Sequence, residues 1–173
     1  MSRRRKNIEL KCGDVFELAL PDGRCGYGIV VNQGVLPDGG TPYIAIFSTA
    51  YAEPPSVFEA TQDKVALQGW TTDALIYRGE WKLIAHGAPI PAIHFPNFKV
   101  TSDAKVWVVD VSGQPIDVAT PQEIDVLDYQ FSSTATIFKK AFEALHGFGE
   151  WKSHFDKLTP QYVRTHMTRP AKR

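Results

Sequence analysis

Apolar and polar residues alternate over residues 13–31 in the pattern of two β-strands joined by a tight turn. The turn is Pro21-Asp22-Gly23, in which proline sets φ at the first position and glycine accepts the left-handed conformation at the last. A three-residue loop of this kind places Phe16 opposite Gly28. The pattern therefore predicts a β-hairpin near the start of the chain.

Two glycines, Gly26 and Gly28, lie two residues apart in the second strand of this hairpin. Glycine is costly in a strand unless the backbone must bend or approach another group closely. A phosphate-binding loop is the alternative, but the spacing fits neither a P-loop nor a dinucleotide fingerprint, and no helix pattern follows. We therefore expect a strongly curved antiparallel sheet, or a partial small barrel, over about residues 7–111.

Other segments of the first two thirds of the chain also carry strand patterns. The predicted strands are a short leading strand at residues 7–11, a central strand at 43–48, and strands at 81–86 and 105–111. Turn-forming residues predict a loop at 32–42, and prolines confine 88–100 to extended geometry. Residues 57–77 follow neither the strand nor the helix period, so only short elements are predicted there.

The pattern changes to helical at Thr120. Thr120-Pro121-Gln122-Glu123 is a capping box with proline at the first helical position, which predicts a helix to about Asp128. Ser132 or Ser133 then begins a stronger helix that Gly147 ends, and two shorter helices follow. A stripe of aromatic side chains in this part is expected to pack onto the sheet: Phe138, Phe142, Trp151 and Phe155.

Strands followed by helices indicate the α+β class and a single domain over residues 1–173. We expect a basic tail at residues 1–6, a β-rich part at 7–118, a helical part at 119–167 packed on the sheet, and a frayed tail at 168–173.

Charge and composition narrow the functional classes. Nineteen basic residues balance nineteen acidic ones, which argues against a dedicated nucleic-acid-binding protein. The run from Arg3 to Lys6 is typical of a solvated tail, although it is also suited to nucleic acid or acidic lipid. No apolar run reaches 18 residues and no secretory signal is apparent, so we expect no membrane partner. Cys12 and Cys25 are expected to lie apart as two buried thiols in a reducing cytoplasm.

No familiar catalytic or metal-binding spacing is present. The five histidines form neither HExxH nor a zinc-finger pattern, and GxSxG and Walker sequences are missing. No cofactor and no metal are therefore expected.

Several segments together resemble the immunity protein 26 family. They are Gly13-Asp14-Val15-Phe16, Leu20-Pro21-Asp22-Gly23-Arg24, Gly26-Tyr27-Gly28-Ile29-Val30, Trp81-Lys82-Leu83-Ile84 and the proline-rich residues 89–100. The resemblance covers roughly residues 10–110. It implies a bacterial protein of a polymorphic toxin system, encoded beside a toxin, which binds that toxin stoichiometrically and is not an enzyme.

Candidate partner-binding residues fall into two groups. Trp70, Tyr77 and Arg78 are of the types that dominate binding hot spots, although Trp70 also suits a core. The acidic residues near the first C-terminal helix suit a basic partner, although acidic groups also stabilise a helix start. They are Asp117, Glu123, Asp125 and Asp128.

Two other functions stay open at this point. One is a small-barrel nucleic-acid-binding module, which Arg3 to Lys6 and exposed aromatic residues favour. The other is an enzyme whose site joins Cys25 or a histidine to a carboxylate only in the folded chain. The oligomeric state is left open by the sequence.

Overall fold

The structure, a computed structural model, describes residues 8–32 and 41–170. The predicted basic tail, most of the loop predicted at 32–42 and the last three residues lie outside this range. Within it the chain is α+β, as expected, with eight strands in two antiparallel sheets, two short helices between strands and further helices after the last strand. Neither sheet closes into a barrel.

The first sheet has five strands and contains the predicted hairpin. Its strands are β1 (Val15–Ala19), β2 (Cys25–Asn32), β3 (Tyr43–Phe47), β4 (Val65–Trp70) and β5 (Trp81–Ala85), in the order β4-β3-β2-β1-β5. Phe16 pairs with Gly28 and Leu18 with Gly26, which confirms the register expected from the turn. All five residues of β3 are buried, because this strand is central and covered on both faces.

The second sheet has three strands, β6 (Phe98–Ser102), β7 (Lys105–Val109) and β8 (Pro115–Val118), in that order. Residues 88–97, which carry three of the chain's prolines between the two sheets, form no strand. Proline cannot donate to a sheet ladder. The proline-rich segment therefore divides what the sequence predicted as one curved sheet into two.

Two short elements differ from expectation. Residues 8–11 form no strand; instead the amide of Lys11 donates to the Asp14 carboxylate at 2.9 Å, which folds this segment into a turn. Residues 57–77 do form short elements, as predicted, namely α1 (Val57–Thr61), β4 and α2 (Ala74–Tyr77). The strand β4 gives no clear period because its register with β3 shifts between Leu67, which pairs with Ile46, and Val65, which pairs with Phe47.

Four helical elements follow the second sheet. They are α3 (Pro121–Val126), α4 (Ala135–Leu145), a 3₁₀ helix (Ser153–Leu158) and α5 (Pro160–His166). The predicted capping box of Thr120 and Glu123 is present at the start of α3. The expected third helix is a 3₁₀ helix, and Trp151 lies outside it with its side chain exposed, so one member of the aromatic stripe was wrong.

The first sheet carries a hydrophobic core on each face. One core joins the hairpin residues Phe16 and Leu18 to Phe138 and Phe142 of α4. The other joins Tyr27, Tyr43 and neighbouring residues to the second sheet and to α5. The first sheet is therefore the layer between helix α4 and the second sheet.

The N-cap of α4 is Thr134, and not Ser132 or Ser133 as the sequence suggested. Its hydroxyl accepts from the amide of Ile137, whereas the Ser133 amide donates to the Trp70 carbonyl and is tied to the first sheet. We expect Thr134→Ala to lower the free energy of unfolding by about 1 kcal/mol. Ser132→Ala is the matched control and should change it little. Urea denaturation of both variants measures this, and equal losses would contradict the assignment of the cap.

Candidate functional site

The predicted aromatic and arginine contacts lie in two different environments. Trp70 is only 3% exposed and packs edge-on against Tyr43 in the core, with ring centroids 5.5 Å apart. Tyr77 and Arg78, at the end of α2, are exposed. In the folded chain Tyr77 and Arg78 therefore lie on the surface, whereas Trp70 contributes to the core.

The carboxylates predicted as a docking cluster are mostly occupied within the chain. Glu123 is 4% exposed and accepts from the Thr120 amide at 2.8 Å and from Nε of Arg169 at 2.6 Å. Asp117 accepts from Nη1 of the same arginine at 2.9 Å. Arg169 lies within the tail predicted to begin at residue 168, so this segment is joined to α3 and β8.

Asp128 is also occupied, while Asp125 is not. The Tyr162 hydroxyl donates to Asp128 at 2.7 Å, and Lys157 lies 3.6 Å from the same carboxylate. Burial and then this hydrogen bond raise the pKa of Tyr162 to about 12. Asp125 is exposed on α3 and forms no ion pair with any residue in the described part of the chain. The sequence could not show this, because Lys157 and Arg169 come from 29 to 52 residues further along the chain than the carboxylates they contact.

A histidine and a carboxylate do meet, as the enzyme alternative required. Nδ1 of His86 lies 2.7 Å from Oδ1 of the buried Asp14, but 75% of the histidine side chain is exposed. The pKa of the neighbouring Cys12 thiol is raised by partial burial and by the charge of Asp14, which disfavours a reactive thiolate. Cys12 and Cys25 are both free, but Cys12 is exposed and Cys25 only half-buried, so the prediction of two buried thiols was wrong.

The Asp14–His86 pair has a structural role. The Asp14 carboxylate also receives the Lys11 amide, and Ala88 donates through its amide to the Gly13 carbonyl. These bonds fasten the start of the chain to the end of β5. Among residues 8–32 and 41–170, no group of three or more histidine, cysteine, aspartate or glutamate side chains is placed to hold a metal ion.

The largest surface concavity we describe is a groove of about 730 Å³, which we call the proline-loop groove. Three segments form its walls: residues 61–65 between α1 and β4, residues 90–94 of the proline-rich segment, and residues 159–164 at the start of α5. Gln68 of β4 joins the wall of residues 90–94 to the first sheet, since its Nε2 donates to the Tyr43 hydroxyl at 3.0 Å and to the His94 carbonyl at 2.9 Å.

Two cationic side chains, Lys64 and Arg164, and one carboxylate, that of Asp63, line this groove. Lys64 and Arg164 are exposed, and neither forms an ion pair with a residue that the structure describes. Asp63 accepts from the Ser48 hydroxyl at 3.1 Å and from the Thr49 amide at 2.7 Å. Burial alone would raise the pKa of Asp63, but these hydrogen bonds lower it, so the carboxylate is held ionised in its turn.

A second groove, of about 580 Å³, lies beside the edge of β6 and is called the aromatic groove here. Its walls include Trp70, Lys99, Tyr129 and Phe131. Lys99 is already engaged, because its ammonium lies 4.8 Å from the centre of the Tyr129 ring and donates to the Ile124 carbonyl. The permanent cation of the aromatic groove therefore already has partners within the chain.

Sequence reasoning missed both grooves. Ile90, His94 and Arg164 carry no motif, and only the packing of α5 against β4 brings residues 159–164 beside the proline-rich segment. The one available signal was the three prolines among residues 89–96, which predicted extended geometry but not a wall.

The comparison with known families connects this fold to a function. The family described as Immunity protein 26 matches residues 11–104, which is more than half of the chain. The chain belongs to the immunity protein 26 family. Searches of curated proteins and of solved structures find no match.

The family match confirms the resemblance seen in the sequence. It spans β1 to β6 and includes two walls of the proline-loop groove, residues 61–65 and 90–94. As a member of an immunity protein family, the chain is expected to have an immunity function, a toxin as its protein partner and a role that does not require catalysis. None of the helices within the described ranges is both long and apolar enough to cross a membrane.

Proposed function

We propose that this protein neutralises a bacterial toxin domain by binding it in a one-to-one complex. The observation that carries the proposal is the family match over residues 11–104. A stoichiometric inhibitor needs a stable scaffold that presents a surface, and the two cores around the first sheet provide such a scaffold.

The surface that would contact the toxin includes exposed residues on the proposed scaffold. Tyr77 and Arg78 at the end of α2, and Asp125 on α3, are exposed. They stay candidate contacts with the toxin, as their residue types suggest. A stable interface buries about 800 Å² on each partner, which is far more than one groove contributes. We further propose that the protein acts in the cytoplasm, where its two free thiols would stay reduced.

Growth rescue tests the proposed function. The polypeptide encoded by the gene adjacent to this one is expressed from an inducible promoter in bacterial cells, with and without this protein. We expect the toxin alone to stop growth and co-expression to restore it by several orders of magnitude in viable count. Size-exclusion chromatography with light scattering should then show a one-to-one complex of the two purified chains.

The control for rescue is a variant whose fold is disrupted at the hairpin, Gly28→Val, which should lose both rescue and complex formation. A single-stranded oligonucleotide is included as a competing ligand. If the protein neither restores growth nor forms a complex with the adjacent gene product, the proposed function is wrong. Oligonucleotide binding with a steep salt dependence would favour the nucleic-acid alternative instead.

A further inference from the structure

We infer that the proline-loop groove is where the toxin docks, and that it receives a segment of the toxin that carries acidic side chains beside apolar ones. The inference rests on the proposed function, since it assigns a surface and a partner chemistry to that binding event. It is argued from the shape, the charges and the apolar lining of the groove.

The proline-loop groove is the larger of the two grooves that we describe. It measures about 730 Å³ and is bounded by the α1–β4 turn, by residues 90–94 and by the start of α5. Each wall is anchored below the surface. The α1–β4 turn is held by hydrogen bonds to Asp63, residues 90–94 by Gln68, and α5 by the buried Val163. A groove with anchored walls costs a partner little ordering entropy on binding.

The charge of the groove selects an acidic partner. Two permanent cations, Lys64 and Arg164, line it against a single carboxylate, that of Asp63. Asp63 accepts from Ser48 and Thr49, and it forms no ion pair with either cation. Arg164 donates to the side-chain oxygen of Gln161 at 3.1 Å, and no carboxylate among residues 8–32 and 41–170 forms an ion pair with it. Carboxylates of a partner would form ion pairs with both cations and would also raise the association rate at low salt.

Part of the groove's lining is apolar. Ile90 is 38% exposed in the wall, and Pro91, Ile93 and Pro160 continue this surface. Removal of such surface from water favours association, while the flanking cations set the orientation of the partner. Two cations beside isoleucine and proline fit a protein segment better than a nucleic acid, which needs a longer basic track and aromatic platforms.

The aromatic groove fits this role less well. Its cation, Lys99, already lies over Tyr129 and donates to a backbone carbonyl, and its Trp70 is almost fully buried. A partner there would compete with contacts that the chain makes by itself. The free cations therefore favour the proline-loop groove.

Charge reversal in the groove tests the inference. The double variant Lys64→Glu/Arg164→Glu is titrated with the adjacent toxin gene product by isothermal calorimetry. We expect roughly 100-fold weaker binding than for the wild-type protein, because two attractive contacts become repulsive. The milder variant Lys64→Gln/Arg164→Gln should weaken binding by about 10-fold.

The matched control is Lys140→Glu/Lys152→Glu. Lys140 lies on α4 and Lys152 before the 3₁₀ helix, both are exposed, and the change in net charge is the same. Circular dichroism verifies that each variant is folded. We expect the control to bind the toxin as tightly as the wild-type protein does.

Three outcomes separate this inference from the proposed function. If the groove variants bind as tightly as the control, the docking site is wrong although the immunity function stands. If the wild-type protein binds no toxin, both are wrong. If the groove cations instead control the binding of a single-stranded oligonucleotide, the groove takes a nucleic acid and the acidic protein segment is excluded.

Discussion

Gly28→Ala is expected to lower the free energy of unfolding by about 3 kcal/mol, near the upper end for overpacking a core. A Cβ at this position would lie 2.3 Å from Cζ of Phe16 and 3.0 Å from the Ala45 carbonyl oxygen. Phe16 cannot withdraw, because it is fully buried and stacks on Trp81 with ring centroids 4.9 Å apart. Urea denaturation monitored by tryptophan fluorescence measures the loss.

The neighbouring Gly26 provides a matched comparison. A Cβ there would lie 2.2 Å from Cζ of Phe142. The three atoms nearest to it all belong to that ring. Shortening the ring side chain with Phe142→Leu should therefore recover most of the stability that Gly26→Ala loses. The same approach at Gly28 with Phe16→Leu should recover less, since the Ala45 backbone remains in the way. Equal and additive losses in both pairs would contradict this packing argument.

Glu123→Ala is expected to destabilise the protein by about 3 kcal/mol, because it breaks a buried ion pair and a capping box at once. The carboxylate of Glu123 holds the Thr120 amide at 2.8 Å and Nε of Arg169 at 2.6 Å. Arg169 would keep only its contact to Asp117, whose side chain is 52% exposed. Thermal and urea denaturation measure the loss, and Asp117→Asn, expected to cost less than about 1 kcal/mol, is the control.

The effect of Glu123 should depend on pH in a defined direction. Burial alone would raise the pKa of Glu123, but the hydrogen bonds from Thr120 and Arg169 outweigh it and lower the pKa below its usual value. A carboxyl whose pKa is lowered by folding stabilises the fold fully above its unfolded pKa, about 4.3, and loses this contribution as the pH falls through the lower folded value. The difference between the wild-type protein and Glu123→Gln should therefore be largest near pH 7 and shrink below about pH 4.5. A difference that grows in acid would contradict this assignment.

The hairpin shows how far local sequence determines structure. Its register follows from Pro21-Asp22-Gly23 alone, because the turn chemistry fixes which residues of β1 and β2 face each other. The capping box at Thr120 and the buried strand β3 are equally local and were predicted. By contrast, the cap of α4 was misplaced by one or two residues, since three hydroxyl residues in a row fit equally well until Ser133 is seen bonded to Trp70.

The candidate site shows where local sequence fails. The acidic residues from Asp117 to Asp128 look like a docking surface until Arg169 and Lys157 are seen to bind three of the four carboxylates. The cations of the proline-loop groove, Lys64 and Arg164, are 100 residues apart in the chain and carry no pattern that relates them.

The amino-acid order alone settled the class of the fold, the opening hairpin and the kinship with an immunity family, because turns, caps and strand periods depend on neighbouring residues. The folded chain alone decided which charged groups are satisfied internally and which face a partner, because ion pairs and groove walls form between segments that are distant in sequence. Their Coulomb energy depends on separation in space, and no local pattern contains that separation.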